Sequence, residues 1–151
     1  PELWDPGIDR RGTIERALGV VDVLKASRED LAALDVDSGV GSPERLLDHG
    51  PHTVFLTRGS EGSELVADEG SPWGAGSWDH PGYEPDDVVD TTGAGDAFTA
   101  GVVAALVDGE GPAETLAFAN AVAAAATTAD GAMSALPDRG TVERVRNATT
   151  K

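Results

Sequence analysis

The sequence contains no cysteine at all, and this absence removes three kinds of chemistry. Without thiols the chain forms no disulfide, builds no thiolate metal site and has no cysteine nucleophile. Aromatic residues are also scarce, with three Phe, three Trp and one Tyr among 151 residues. The core must therefore be built mainly from Ala, Val and Leu, and the length suits one compact domain.

Lysine is the next scarcity, because the chain has only Lys25 and Lys151, while Asp and Glu together number 27. The formal net charge is -16 at pH 7. Nucleic acids and anionic membranes are bound chiefly through Lys and Arg, so we expect the chain to bind neither. The acids are scattered along the chain, which favours a solvated, halophilic-type surface over an acidic face that binds a partner.

Long apolar runs are missing too. The sequence has no stretch of the roughly 18 apolar residues that a membrane span requires. It does not open with a basic segment followed by an apolar region and a small-residue cleavage site. These absences predict a cytoplasmic protein.

What the sequence does contain is an alternation of short strand and helix patterns, which is typical of an α/β layered sheet with parallel pairing. Residues 68–87 shift to Gly, Pro, Trp and acids, which predicts a surface loop or an irregular edge. The predicted strands cover residues 20–26, 53–56 and 63–67. Helices are predicted over residues 13–19, 27–34, 96–108, 112–128 and 141–147, with a further short helix that Ser42 caps and Pro43 begins.

The stretch that organises the rest of the chain is residues 88–101, which read VVDTTGAGDAFTAG. Two valines and Asp90 end a predicted strand, a glycine-containing turn follows, and Asp96 opens an apolar helix. Free N–H groups at a helix start, in a turn where glycine lets a ligand approach, stabilise negative charge without a basic side chain. The pattern therefore predicts an anion site with Asp96 beside it, where a general base would be needed.

Simpler interpretations of this stretch remain open. Taken alone, the GAGD sequence is compatible with a tight strand-to-helix connection in which Asp96 faces the helix dipole. Two familiar phosphate loops do not fit. The Walker pattern has no lysine here, and the dinucleotide pattern GxGxxG starts at Gly93 and Gly95 but meets Phe98 where its third glycine belongs.

The run DTTGAGDAFTAG closely resembles the second signature of the ribokinase-like (PfkB) carbohydrate kinases. The resemblance continues along the chain in the family's order and covers the C-terminal half of the family domain. It implies a three-layer, mostly parallel sheet of the ribokinase-like type, incomplete because only that half is present. It also implies that the protein transfers the γ-phosphoryl of ATP to a sugar hydroxyl.

Two further segments resemble nucleotide-binding parts of the family. Thr57, Gly59 and Gly62 match the Thr-x-Gly-x-x-Gly that lies along the nucleotide, although an ordinary hairpin turn would give the same pattern. Asn120 lies on the alanine-rich helix that resembles the family's adenine-site helix. It is the polar exception there, and either a contact to the nucleotide or a satisfied buried amide explains it.

Two other segments resemble the family less closely. Residues 22–31 are similar to the segment that carries an Asn-x-x-Glu motif near the metal, but Ser27 and Asp30 stand at those positions. Both side chains could equally serve only as a helix cap. Asp5 and Pro6 resemble the start of an Asp-Pro-Asn-x-Arg segment of the fructokinase and ketodeoxygluconate kinase branch, which the next residues do not continue.

The resemblance assigns roles to the residues of the GAGD turn. Asp96 would accept the proton of the attacking hydroxyl. The backbone N–H groups of Gly93, Ala94, Gly95 and Asp96 would hold the transferring oxygens as an anion hole. Alignment and charge stabilisation of this kind are what phosphoryl transfer requires of a protein.

Binding of metal ions is implied only by the family resemblance. Magnesium would arrive with ATP and be held largely through water, with Asp30 as the indirect protein ligand. A monovalent cation, potassium, would bind Asp90 and nearby carbonyls, including those around Thr92 and residues 127–132. His49, His52 and His80 lack metal-site spacing and are predicted to be surface residues.

Family members are roughly twice as long as this chain, and their N-terminal half supplies the sugar-binding residues and the lid. We therefore expect residues 1–151 to be the C-terminal ATP-binding and catalytic portion, present as a fragment, a truncated product or one piece of a split structure. Association with the missing N-terminal half or with a second copy is expected. The alternatives to a sugar kinase are a non-catalytic nucleotide-binding fragment and a half-domain that associates through its edge.

Overall fold

The computed structural model describes residues 7–32, 42–85 and 87–148. The expectations for Asp5, Pro6 and the end of the helix near residue 34 lie outside these ranges. The helices are α1 (Arg10–Leu18), α2 (Pro43–Leu47), α3 (Ala94–Val107), α4 (Pro112–Ala126) and α5 (Arg139–Ala148), and residues 28–32 are also helical. The strands are β1 (Val23–Ser27), β2 (Thr53–Thr57), β3 (Ser63–Ala67) and β4 (Gly76–His80). None of the described helices is long and apolar enough to cross a bilayer.

The four strands form one sheet in the order β1-β2-β3-β4. The His52 N–H donates to the Asp22 carbonyl at 3.0 Å, which joins the starts of β1 and β2 and makes this pair parallel. The Asp68 N–H donates to the His52 carbonyl at 3.0 Å, so the end of β3 meets the start of β2 and the pair is antiparallel. The described sheet is therefore mixed, because a turn as short as residues 58–62 can join only antiparallel strands.

Contacts divide the chain into two units. The first contains residues 1–56 and 66–76, and the second contains residues 57–65 and 77–151. The core of the first unit is aliphatic and consists of Leu18, Leu31, Leu46, Val54, Leu56 and Val66. Trp73 adds an edge-on contact to Phe55, with ring centroids 6.3 Å apart, so this tryptophan covers the sheet rather than standing in an open loop.

The second unit is built on close packing of alanine-rich helices. A methyl group on Gly101 of α3 would lie 2.8 Å from the Ala119 Cα of α4, so the two helix backbones approach where neither has a bulky side chain. A further apolar cluster between α4 and α5 consists of Ala121, Ala125, Val142 and Val145. Scarce aromatics and abundant alanine thus lead to tight helix contacts instead of large interlocking side chains.

Several sequence predictions were wrong in detail. Residues 76–80 form β4 where a loop was predicted, because the strand alternates partly buried and exposed residues within a Gly-rich stretch. Residues 88–90 form no strand. The Val89 and Asp90 N–H groups instead donate to the Thr127 carbonyl at 2.8 and 3.2 Å, at the C-terminal end of α4. Helix α3 begins at Ala94, so Asp96 is its third residue and not its first.

Candidate active site

A cavity of about 290 Å³ lies within the second unit and gathers most of the predicted nucleotide-site residues. Its walls come from the turn after β2, from residues 82–85 and 88–91, from the start of α3 and from one face of α4. Six of the predicted site residues line it: Thr57, Gly59, Gly62, Ala94, Gly95 and Asn120. Segments far apart in sequence therefore meet at one concave surface.

The turn between β2 and β3 depends on glycine at two positions. Gly59 and Gly62 both have positive φ, +61° and +82°, a conformation that L side chains rarely adopt. A methyl group on Gly62 would also collide with backbone atoms of His80, Pro81 and Gly82 at the end of β4. The Arg58 N–H donates to the Gly62 carbonyl at 2.8 Å and closes the turn. The turn is therefore a tight hairpin, and it also forms one wall of the cavity.

The start of α3 forms the opposite wall. Gly93 is the N-cap residue with φ +81°, and a methyl group there would lie 2.8 Å from the Ala132 Cβ. The Ala94 N–H donates to the Thr91 carbonyl at 3.2 Å and is not available to a ligand in this conformation. Among the described residues, the N–H groups of Gly93, Gly95 and Asp96 have no hydrogen-bond partner. In this conformation three of the four N–H groups predicted as anion-hole donors are therefore free.

Asp96 lies in the first turn of α3 with an exposed side chain. It does not line the cavity, but its chain neighbour Gly95 does. An acid at this position lies next to the three free N–H groups, where a helix favours negative charge. The side chain of Asp96 is therefore open to solvent, and it follows directly in the chain a residue that lines the cavity.

Asp90 fixes the loop in front of α3. Its carboxylate accepts hydrogen bonds from the Thr92 N–H at 2.8 Å and from the Gly131 N–H at 3.0 Å. Hydrogen bonds from Thr92, and then from the Gly131 N–H, hold the pKa of Asp90 below its usual value. Asp90 therefore stays ionised at neutral pH and links the loop before α3 to the loop after α4.

Asn120 is buried on α4 at the floor of the cavity, with 7% of its surface exposed. Its amide nitrogen donates to the Ser63 Oγ at 2.7 Å and to the Leu116 carbonyl at 2.8 Å. The donors of the amide are therefore satisfied within the protein. Only the amide oxygen remains to accept a hydrogen bond from a ligand, with the orientation of the amide assigned from this network.

Asp30 lies in the first unit, where it completes a helix cap. The Ser27 N–H donates to the Asp30 carboxylate at 2.9 Å, and the Asp30 N–H donates to the Ser27 Oγ at 3.1 Å. This reciprocal pair is a capping box, which confirms the cap predicted from the sequence. Asp30 remains exposed, so the cap leaves its carboxylate accessible to a hydrated ion.

His80 is half-buried at the end of β4. Its ring is tilted against Tyr83, with centroids 4.9 Å apart, and its Nδ1 accepts the Gly82 N–H at 3.0 Å. Burial lowers the pKa of His80 below its ordinary value, and the Asp79 carboxylate offsets part of that effect. A neutral His80 therefore supports the segment that carries Gly82 and Tyr83 into the cavity wall.

Several residues that line the cavity were not among the predicted site residues. Tyr83 and Phe98 supply aromatic surface, and α4 adds small residues that leave room for a ligand, including Ala123 and Ala124. The signal for Phe98 and Ala123 was present, since each lies within a few residues of a predicted site residue on a helix. Tyr83 stands in the Gly-rich stretch of the sequence, where its ring could stack on a ligand, but covering the sheet edge was the favoured interpretation.

The elements around the cavity suit one kind of ligand. A glycine turn at a β-hairpin, a helix start with free N–H groups and an aromatic-lined cavity between them suit a nucleotide with its phosphates. Residues 1–139 match the family model described as pfkB family carbohydrate kinase. The chain therefore belongs to the pfkB family of carbohydrate kinases.

Individual relatives agree with this membership. The chain is 35% identical over 153 residues to a fructokinase from Klebsiella pneumoniae, covering 95% of this chain and 47% of that protein. It superposes with a TM-score of 0.75 and 33% identity on aminoimidazole riboside kinase from Salmonella enterica, complexed with aminoimidazole riboside and an ATP analogue. That match covers 89% of this chain and 45% of the kinase.

A third relative is a double-mutant fructokinase from Vibrio cholerae O395 in fructose-, ADP- and potassium-bound form. Its TM-score is 0.74 at 27% identity, with 95% of this chain and 46% of that chain covered. The chain thus spans about half the length of the relatives it matches.

Proposed function

We propose that this chain is the ATP-binding and proton-accepting portion of a sugar kinase of the pfkB family. The observation that carries the proposal is one cavity that is lined both by the Thr57–Gly62 turn and by the start of α3. An apolar cavity with Tyr83, Phe98 and alanines suits a purine base, and the free N–H groups of α3 suit phosphate. The relatives bound to an ATP analogue and to ADP support the same ligand.

The reaction follows from this placement. The bond between the γ-phosphorus and the β,γ-bridging oxygen breaks while a sugar hydroxyl oxygen forms its bond to that phosphorus. Asp96 takes the hydroxyl proton, and ADP leaves with the bridging oxygen. The N–H groups of Gly93, Gly95 and Asp96 stabilise charge on the transferring oxygens. The sugar class is set by parts of the domain that this chain does not span.

The residues present also suit the two kinds of cation. Asp90 is ionised, faces backbone-rich loops and offers oxygen lone pairs beyond its two hydrogen bonds, which suits potassium together with Thr92. Asp30 offers an exposed carboxylate of the kind that holds hydrated Mg²⁺ through water. When bound, a monovalent cation at Asp90 would supply positive charge beside the loop that precedes α3.

Filling the cavity tests the proposal. Ala123 lines the cavity on α4, so Ala123→Phe should place a ring where the base would bind. We expect calorimetric titration with Mg-ATP to show an affinity at least about tenfold lower, or about 1.4 kcal/mol. Val103→Phe, at a 55% exposed position on α3, is the matched control and should bind ATP as the parent chain does. Unchanged affinity in Ala123→Phe would remove the cavity from the proposal.

We also propose that the remaining part of the family domain packs on the outer face of α3. Val103 and Val107 lie one turn apart there and are 55% and 81% exposed. They are two of the nine large hydrophobic side chains that are exposed among the described residues, and their spacing of four residues places them side by side on one helix face. The relatives carry about as much sequence again as this chain, and that sequence is the occupant we assign to the face.

Replacing the two valines should have a small effect on the stability of the chain alone and a larger effect on the stability of the complete kinase domain. In the chain alone, Val103→Ser with Val107→Ser should change the free energy of unfolding by less than about 0.5 kcal/mol per site. In the complete kinase domain, the same pair should lower it by about 1–3 kcal/mol per site, because buried aliphatic surface is lost. Denaturant unfolding followed by fluorescence measures both. Small effects in both settings would contradict the assignment, and a chain dimer that the double variant dissociates would favour self-association instead.

A further inference from the structure

The polar side chains behind the cavity form a continuous network from the surface to the cavity floor. Asp79 on β4 pairs with Arg58, with 2.6 Å between the Asp79 Oδ2 and the Arg58 Nη2. The same Nη2 donates to the Ser63 carbonyl at 3.3 Å. The Ser63 Oγ in turn accepts the Asn120 amide at 2.7 Å. The network therefore joins β4, the hairpin turn, β3 and α4.

Arg58 is the member on which the turn depends. It is the first residue of the turn, its backbone N–H closes that turn onto Gly62, and its chain neighbours Thr57 and Gly59 line the cavity. Its guanidinium reaches past the turn to the first residue of β3 and across to β4. Holding the guanidinium therefore fixes both ends of the hairpin relative to the adjacent strand.

The ion pair is asymmetric in exposure. The Arg58 side chain is 19% exposed, whereas that of Asp79 is 59% exposed. The buried Arg58 Nε has no hydrogen-bond partner in the described part of the chain. A guanidinium that is largely removed from water and only partly hydrogen-bonded relies on its carboxylate for charge compensation. Removing Asp79 should therefore disturb Arg58 more than the loss of an ordinary surface pair would.

We propose that Arg58 and Asp79 are positioning residues for the nucleotide, which hold the 58–62 turn and, through Ser63, the Asn120 amide in the ligand-ready arrangement. The inference rests on the proposed function, because it assumes that the cavity binds ATP. Neither residue lines the cavity, so neither is expected to touch the ligand. Their effect is on the geometry of Gly59, Gly62 and Asn120, and it should appear in nucleotide affinity.

The test compares three variants in two measurements. Asp79→Asn keeps the shape and removes the charge, Asp79→Glu restores a carboxylate, and Glu143→Gln removes the exposed pair to Arg146 on α5 as a matched control. Amide hydrogen exchange without ligand reports the turn through the N–H groups of Glu61 and Gly62, which bond to Arg58 and Gly59 carbonyls at 3.2 Å. Titration with Mg-ATP reports affinity.

For Asp79→Asn, we expect exchange at Glu61 and Gly62 to rise at least tenfold and the Kd for ATP to rise at least fivefold. Asp79→Glu should return both to within threefold of the parent, and Glu143→Gln should change neither. Unchanged exchange in Asp79→Asn overturns the role of the pair in holding the turn. Faster exchange with unchanged affinity overturns the positioning of nucleotide. If the parent chain binds no ATP, the proposed function fails, and faster exchange would still establish the pair as a support of the turn alone.

Discussion

Replacing Asp96 by asparagine is expected to lower kcat for sugar phosphorylation by about 10²–10⁴-fold, the range that a general base contributes. The amide is close in shape to the carboxylate and keeps the start of α3, but it cannot accept the hydroxyl proton. Because proton acceptance matters only as the new bond forms, kcat and kcat/KM for the sugar should fall together. The KM for ATP should stay within about twofold, since the substitution keeps the backbone N–H of residue 96 that is proposed to contact the phosphates.

The measurement is steady-state kinetics on the complete kinase domain with the Asp96→Asn chain in place. Asp108→Asn is the matched control, because it removes the same charge from the C-terminal end of the same helix. That control should leave kcat within about twofold of the parent, since Asp108 is remote from the cavity lining. Turnover that survives in Asp96→Asn would show that another group accepts the proton.

Gly93→Ala is expected to have the second large effect, and it acts on binding. A residue with a Cβ at φ +81° is strained by about 1–2 kcal/mol. Its methyl group would also lie 2.8 Å from the Ala132 Cβ, which requires the loop after α4 to move. We therefore expect the free energy of unfolding to fall by about 2–4 kcal/mol. The Kd for ATP should rise at least about tenfold, because the α3 N–H groups shift.

Gly109→Ala is the control variant, because it introduces the same kind of backbone strain without a steric clash. Gly109 has φ +73° but no atom within 4 Å of the position that a Cβ would occupy. It follows α3 at the opposite end from Gly93, so its alanine variant should lose only about 1–2 kcal/mol of stability and keep its affinity for ATP. Chemical denaturation and ATP titration of both variants make the comparison. Equal losses of affinity in the two would indicate a general effect on α3 and not a phosphate site at Gly93.

The local parts of this structure could be predicted from the sequence because local chemistry determines them. Ser27 and Asp30 stand three residues apart, as a capping box requires, and both reciprocal hydrogen bonds form. The strand Ser63–Ala67 has the predicted bounds, because the glycines of the preceding turn fix where the chain reverses. Helix α4 begins at Pro112 as predicted, since proline suits a first helical position.

The sequence predictions that were wrong concern features that depend on contacts between residues far apart in the chain. Val88 and Val89 were interpreted as a strand end because they are apolar, yet they are 60% and 59% exposed. The Val89 N–H bonds to a carbonyl at the end of α4, nearly forty residues later in the chain. The order of the strands and the contribution of Tyr83 to the cavity also depend on contacts between distant residues. Neither is encoded in a periodic pattern of the sequence.

The family resemblance predicted which residues belong to the candidate site. How these residues are arranged around the cavity is seen only in the structure. The motif indicated four donors at Gly93 to Asp96, but the Ala94 N–H is occupied by the Thr91 carbonyl. The two interpretations of Asn120 turn out to be compatible, because its donors are satisfied while its side chain lines the cavity. Such details follow from hydrogen-bond geometry and cannot be read from residue types.

A phosphate site at the start of α3 can be tested by an amide NMR titration of the ¹⁵N-labelled chain with adenosine and, separately, with Mg-ATP. We expect both ligands to shift the amide signals of cavity residues such as Tyr83 and Ala123. Only ATP should also shift the amide signals of Gly93, Gly95 and Asp96, because we propose that their N–H groups bind the phosphates. If these three signals have the same positions at saturation with ATP as with adenosine, there is no phosphate site at the start of α3.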